Sequence, residues 1–115
     1  MQEVSFNVQL DENGNGSVTI VGDYWQGKTD KGILLLHMMP ATRESWHDIA
    51  EKLNQNGYHV LAIDLRGHGD SYNAVLTEGK EVFLNYSNFK DLDHQRSIID
   101  VQAGVDFLIK KGVAR

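Results

Sequence analysis

The chain contains no cysteine, has no excess of basic residues, and has no apolar run approaching the length of a membrane span. Without cysteine there are no disulfides, no thiolate metal ligands and no cysteine nucleophile. With 11 Lys and Arg against 16 Asp and Glu, the net charge is -5 and the pI about 5.4. Such a surface lacks the basic footprint that nucleic acid or an anionic membrane requires, so neither is an expected partner. The opening "MQEVSFNVQL" is too polar for a signal peptide, which leaves the cytoplasm as the expected location. Internal repeats, low-complexity tracts and interior linkers are also missing, and 115 residues accommodate one domain at most.

What is present reads as an ordinary soluble globular chain, 41% hydrophobic and 23% charged. Val4, Phe6, Val8 and Leu10 alternate with polar residues, the signature of a half-buried strand. "DENGNG", Asp11 to Gly16, contains Asn-Gly twice, the dipeptide best suited to a tight hairpin turn. Val18 and Ile20 resume the alternation as an antiparallel return, followed by a loop, "DYWQGKTDKG". "ILLLH", Ile33 to His37, then has no polar side, so this strand is expected to be covered on both faces.

After Pro40 the pattern changes to a helical one. Thr42 is placed as N-cap and Glu44 lies favourably in the first turn. Trp46, Ile49, Ala50 and Leu53 form a single buried stripe. Gly57 ends the helix in a Schellman arrangement that brings Tyr58 against Leu53. "YHVLAID", Tyr58 to Asp64, is a second apolar strand. A polar loop runs from Ser71 to Lys90. Asp91 then caps a long helix with Ile98, Val101, Val105, Leu108 and Ile109 on one face, closed by Lys110, Lys111 and Gly112. Hairpin, strand, helix, strand, helix makes an α/β domain containing a parallel βαβ unit.

In such a sheet ligands collect beyond the carboxyl ends of the strands. Two loops lie there, "HMMPAT" and "RGHGDS". The second belongs to "IDLRGHGDSY", which places Asp64, His68, Asp70 and Ser71 so close in sequence that a catalytic triad suggests itself. A tight fold-back at Gly67 and Gly69 argues otherwise, leaving Asp64, Arg66 and Ser71 to satisfy loop backbone groups and His68 to serve the structure. A phosphate cradle is the weaker reading, because no Gly-Lys-Ser/Thr follows and no helix starts at once. The histidines at 37, 47, 59, 68 and 94 show no paired metal-ligand spacing, and His47 with Asp48 suits a flanking helix face. Neither metal nor cofactor is expected. Trp25 and Trp46 are read as packing groups.

The segments "ILLLHMMPATRESW", "GYHVLAIDLRGHGDS" and "DHQRSIIDVQAGVDFLIKKGV", with the opening hairpin, resemble the α/β-hydrolases in order over essentially all 115 residues. The similarity is to the esterase and dienelactone-hydrolase-like members. It implies a partial α/β-hydrolase fold with strands ordered first, second, fourth, third, and a further strand beside "ILLLH". That further strand would lead into G-x-S-x-G, the turn presenting the nucleophilic serine. No such motif occurs here, so the resemblance implies that serine, acid and histidine all lie beyond Arg115. His37 and Pro40 match the family's His-Gly-x-Pro oxyanion loop, which makes the backbone N–H groups of Met39 and Met38 the oxyanion-hole candidates. Met38 departs from the pattern, where glycine is usual; otherwise "HMMP" is a plain connection whose two methionines fill core.

These readings lead to the N-terminal portion of a single serine-hydrolase domain, residues 1–115, acting on carboxylic esters or related acyl bonds and inactive alone. The alternatives are a complete small non-catalytic α/β binding module and one half of a split hydrolase. In the first and last cases the Ile33–His37 strand would expose an apolar edge through which the chain self-associates. The expected small-molecule partner is an ester or acyl substrate.

Overall fold

The computed structural model describes residues 1–115. Strands β1 (Gln2–Gln9), β2 (Gly16–Trp25), β3 (Gly32–Leu36), β4 (His59–Ile63), β5 (Asn73–Leu76) and β6 (Glu81–Phe83) form one sheet. Helix α1 (His47–Gln55) follows a 3-10 turn at Arg43–Trp46, and α2 (Asp91–Gln95) and α3 (Ser97–Lys110) close the chain. The opening alternation becomes an antiparallel hairpin with Val8 opposite Val18 and Phe6 opposite Ile20. Its turn is organised by the Asp11 carboxylate, which accepts the N–H groups of Asn13 and Asn15.

β4 pairs with β2 on one side and runs parallel to β3 on the other, with Ile33 beside Val60 and Leu35 beside Ala62. The strand order β1-β2-β4-β3 is the one the family resemblance implies. β4 is buried throughout because both faces are covered. Leu61 and Ile63 pack with Leu34, Phe107 and Leu108 on the α3 side. Val60 and Ala62 pack with Trp25, Ala50, Trp46 and Leu53 on the α1 side. The result is a helix, sheet, helix sandwich.

Both principal helices end as their glycines dictate. Gly57 adopts φ +96°, and the N–H groups of Gly57 and Tyr58 donate to Asn54 and Leu53, which is the Schellman pattern. Gly112, at φ +108°, does the same for α3.

Several expectations are corrected. β2 does not stop near Ile20 but continues through Asp23, Tyr24 and Trp25, which pair with Ala62, Leu61 and Val60. Gly22 lies within this stretch, where a Cβ would come 3.0 Å from the Ala62 carbonyl oxygen and crowd Leu61 and Ile63. The segment from Ser71 to Lys90 is not simply a loop, for it contains the β5–β6 hairpin and a 3-10 turn at Tyr86–Asn88. Thr42 occupies the N-cap position, but its side chain makes no capping bond. Asp91 does not cap one long helix. It opens the short α2, and α3 begins after a turn at Arg96 that allows Asp100 to face Arg66.

Two apolar stripes are also reassigned. Ile49 is 48% exposed although Ala50 beside it is fully buried. On α3, Leu108 is buried, whereas Ile98 is 71% exposed and Val105 also faces outward. The packed side of α3 is instead Ile99, Ala103, Phe107 and Leu108, with Asp100 and Gly104 between them.

Candidate active site

β4 and β5 lie end to end along one edge of β2: Gly22 faces Ile63, and four residues back Val18 faces Ala74. The intervening chain therefore leaves the sheet and returns to the same edge, and "RGHGDS" is the tip of that excursion. Ser71 closes it. Buried completely, its Oγ accepts the Val21 N–H at 2.8 Å, while its carbonyl takes the Gly67 N–H.

Asp64, His68 and Ser71 do not converge on one another. The Asp64 carboxylate accepts the backbone N–H of Arg43 at 2.7 Å and of Asp70 at 3.0 Å, and pairs with the Arg43 guanidinium. His68 donates from Nδ1 to the Arg66 carbonyl at 3.1 Å. Its ring stacks on Tyr86, centroids 4.5 Å apart, and tilts against His37 at 4.8 Å. Burial lowers the His68 pKa. Each group thus serves a different neighbour, and none forms the nucleophile, base and acid relay of a triad.

Two arginines anchor this end of the sheet. Arg66 forms an ion pair with Asp100 at 2.8 Å and caps the carbonyls of Gln9 and Leu10, which ties the loop to α3 and to the end of β1. Burial raises the Asp100 pKa against the pull of its hydrogen bonds to Arg66. Arg43, absent from the sequence reading, is buried amid Glu3, Asp23, Asp64 and Asp70. Burial works against its charge, but Asp70, Asp23 and Asp64 outweigh it and hold the pKa well above the ordinary arginine value. Asp23 also receives His47 Nε2 at 2.6 Å. His59 bonds Tyr24, Gly27 and Thr29 and belongs to the scaffold.

The other loop presents the oxyanion candidates. His37 is buried, whereas Met38 and Met39 are 78% and 52% exposed. Neither methionine fills core, which removes that alternative. No protein acceptor takes the N–H of Met38 or Met39. Met39, His37, Leu65, His68, His94 and Ser97 line a cleft of about 210 Å³ between the two loops and the start of α3. Trp46 and Trp25 pack together under α1, as groups of the core.

The β3 edge opposite β4 is unpaired. Phe107 and Ala103 mark the side of α3 that faces β1 and β2. Ile98 and Val105 project from the opposite side and are exposed. On the other layer, His47 and Asn54 mark the β2 side of α1 through Asp23 and Gln26, and Ile49 projects oppositely. Ile49, Ile98 and Val105 are thus exposed apolar residues on the sides of α1 and α3 turned away from β2.

The sequence profile described as alpha/beta hydrolase fold matches residues 32–104. Among solved structures, a candidate hydrolase from Rickettsia typhi superposes with a TM-score of 0.62 at 17% identity, over 100% of this chain and 37% of that one. A thioesterase domain from the curacin biosynthetic pathway gives 0.55 at 20% identity, over 90% of this chain and 33% of its own. An esterase from Exiguobacterium antarcticum gives 0.47 at 24%, over 59% and 23% respectively. This chain spans between about a quarter and just over a third of the solved chains it resembles. No curated protein matches it significantly. No helix is long and apolar enough to cross a membrane.

Proposed function

The chain belongs to the α/β-hydrolase fold family, and from that premise we propose that it forms the N-terminal portion of a serine hydrolase acting on carboxylic esters or related acyl bonds. The observation that carries this reading is the "HMMP" loop at the carboxyl end of β3, where Met39 offers an unclaimed backbone N–H at the mouth of a cleft. When a serine supplied from outside these residues attacks an ester carbonyl, negative charge gathers on the carbonyl oxygen. A fixed N–H aimed at that oxygen lowers the barrier by about 3 kcal/mol, as loss of one such donor elsewhere indicates. Met39 is the donor proposed, and the Met38 N–H is its neighbour.

The free edge of β3 supports the same reading. Its unpaired N–H and C=O groups, with Ile49, Ile98 and Val105 left exposed on the two helices, suit one more parallel strand with apolar residues on both faces. We propose that the nucleophile-bearing part of the domain occupies it, whether as following sequence or as a second polypeptide. Left open, the same edge is the surface for self-association. With no cysteine the chain folds without disulfides, and we propose the cytoplasm as its location.

The test is hydrolysis of a p-nitrophenyl ester by the 115-residue chain, alone and combined with a complementary part carrying strand and G-x-S-x-G. Turnover is expected only in combination. Turnover by the chain alone would show that its own residues contain the nucleophile and defeat the proposal, as would a combined assembly that forms and does not hydrolyse acyl bonds.

A further inference from the structure

The 38–42 loop is held at both ends by two consecutive residues. At one end the Leu65 N–H donates to His37 Nε2 at 3.0 Å. At the other, Asp64 Oδ1 accepts the Arg43 N–H at 2.7 Å. Between these buried ends Met38, Met39 and Pro40 are exposed, so the loop is clamped at its base and free at its crest.

The His37 contacts determine more than position. A backbone N–H can only donate, so Nε2 must present its lone pair to Leu65. The ring proton of neutral His37 therefore resides on Nδ1, which lies 3.1 Å from the Met38 carbonyl oxygen and donates to it. The Met38–Met39 peptide is trans, and in a trans peptide C=O and N–H point in opposite directions. Holding the carbonyl on the imidazole thus turns the Met39 N–H away from the ring, where no protein group accepts it.

We propose that His37 is a positioning residue: it sets the plane of the Met38–Met39 peptide and so aims the Met39 amide, while Leu65 selects the tautomer that can do this. What the amide stabilises rests on the hydrolase reading above, but the aiming is a property of this chain and is measurable in it. The two ring nitrogens have separable tasks. His37→Asn puts a side-chain N–H close to the Nδ1 position and keeps a donor for Met38. His37→Gln reaches closer to the Nε2 position, keeps an acceptor for Leu65 and loses the grip on Met38.

The experiment is heteronuclear NMR on the 15N-labelled chain. In the wild type, multiple-bond spectra of His37 should show Nε2 without a proton. The residual dipolar coupling of the Met39 N–H, which reports its direction, should be retained in H37N and shifted in H37Q and H37A, with couplings in β2 and β4 unchanged. Amide exchange at Leu65 should accelerate in H37N and stay slow in H37Q. A protonated Nε2 in the wild type, or an unmoved Met39 coupling in H37A, would overturn the proposal. If H37Q and H37A fail to fold, the wild-type tautomer and H37N still decide it. Loss of the hydrolase reading through failed ester turnover would leave these spectra standing, and an unmoved Met39 coupling would leave ester hydrolysis unexplained only in its aiming, so the two failures are distinct.

Discussion

Replacing Asp100 by Asn should be among the most damaging single changes outside the apolar core. Asp100 is fully buried, and Arg66 is 2% exposed. The carboxylate receives Arg66 Nε, Nη2 and backbone N–H at 2.8–3.1 Å. Asn retains the shape but leaves the guanidinium uncompensated in the interior, and its NH2 group meets donors where an acceptor stood. Breaking one side of such a pair costs about 3–5 kcal/mol. Domains of this size are stable by about 5–15 kcal/mol, so about a fifth or more of the total is at stake. With an unfolding entropy of about 2 cal/mol/K per residue, each kcal/mol lowers Tm by about 4 °C, which predicts a fall of about 12–20 °C. Urea and thermal melts of D100N against wild type measure it. The discriminating variant is Arg66→Met with Asp100→Leu, which removes both charges and leaves the Gln9 and Leu10 carbonyls without their donor and the backbone N–H of residue 66 without its acceptor, at about 1 kcal/mol each. That double variant should be more stable than D100N. A D100N cost below about 1 kcal/mol, or a double variant less stable than the single, would refute the argument that uncompensated charge governs this site.

Three further outcomes are expected. His68, whose pKa burial lowers from 6.5, takes up a proton less readily folded than unfolded, so its contribution is complete above 6.5 and is lost as pH falls through the lower folded value; urea midpoints of H68Q should fall less than those of wild type between pH 7.5 and 5. Gly69→Ala should destabilise far more than Gly79→Ala, because a Cβ at 69 lies 2.4 Å from Asp64 Oδ2 whereas at 79 it meets nothing within 4 Å, leaving only the left-handed backbone penalty of about 1–2 kcal/mol; equal melting losses would show that Asp64 is not held from that side. Leu36→Lys, at a position 37% exposed on the free β3 edge, should reduce concentration-dependent association in sedimentation velocity, and unchanged association would place the contact elsewhere.

The elements legible in the sequence were those whose signals agree across scales. Gly57 and Tyr58 mark the end of α1 by both backbone angle and apolar contact, and the alternation from Val4 to Leu10 gives the β1 face directly. The outward turn of Ile98, Val105 and Ile49 was not legible, because periodicity shows that an apolar stripe exists and not what covers it. Gly104 held the missing clue: a glycine within a helix marks a close approach, and a Cβ there would come within 3.0 Å of Leu34. That contact, with Asp100 one turn earlier, identifies the packed side. The β5–β6 hairpin was hidden by its brevity, since strands of four and three residues carry too little alternation to register. At the site, His37 and the oxyanion candidates followed from the resemblance, and Gly67 and Gly69 correctly argued for a folded-back loop. Arg43 was missed because a lone arginine near a helix start looks like solvated surface, and its four acidic neighbours come from distant parts of the chain.

The excursion between Ile63 and Asn73 also bears on how such a domain can change. The chain leaves the β2 edge and rejoins it, and pairing is restored by Ser71 on Val21 and by Ala74 opposite Val18. Alignment of the sheet is therefore decided at the two feet of the excursion, while its crest is anchored separately, by Arg66 on Asp100 and by Gly69 packed against Asp64. A change in the crest is felt in those two anchors before it reaches the strands beneath, whose pairing is held by the feet.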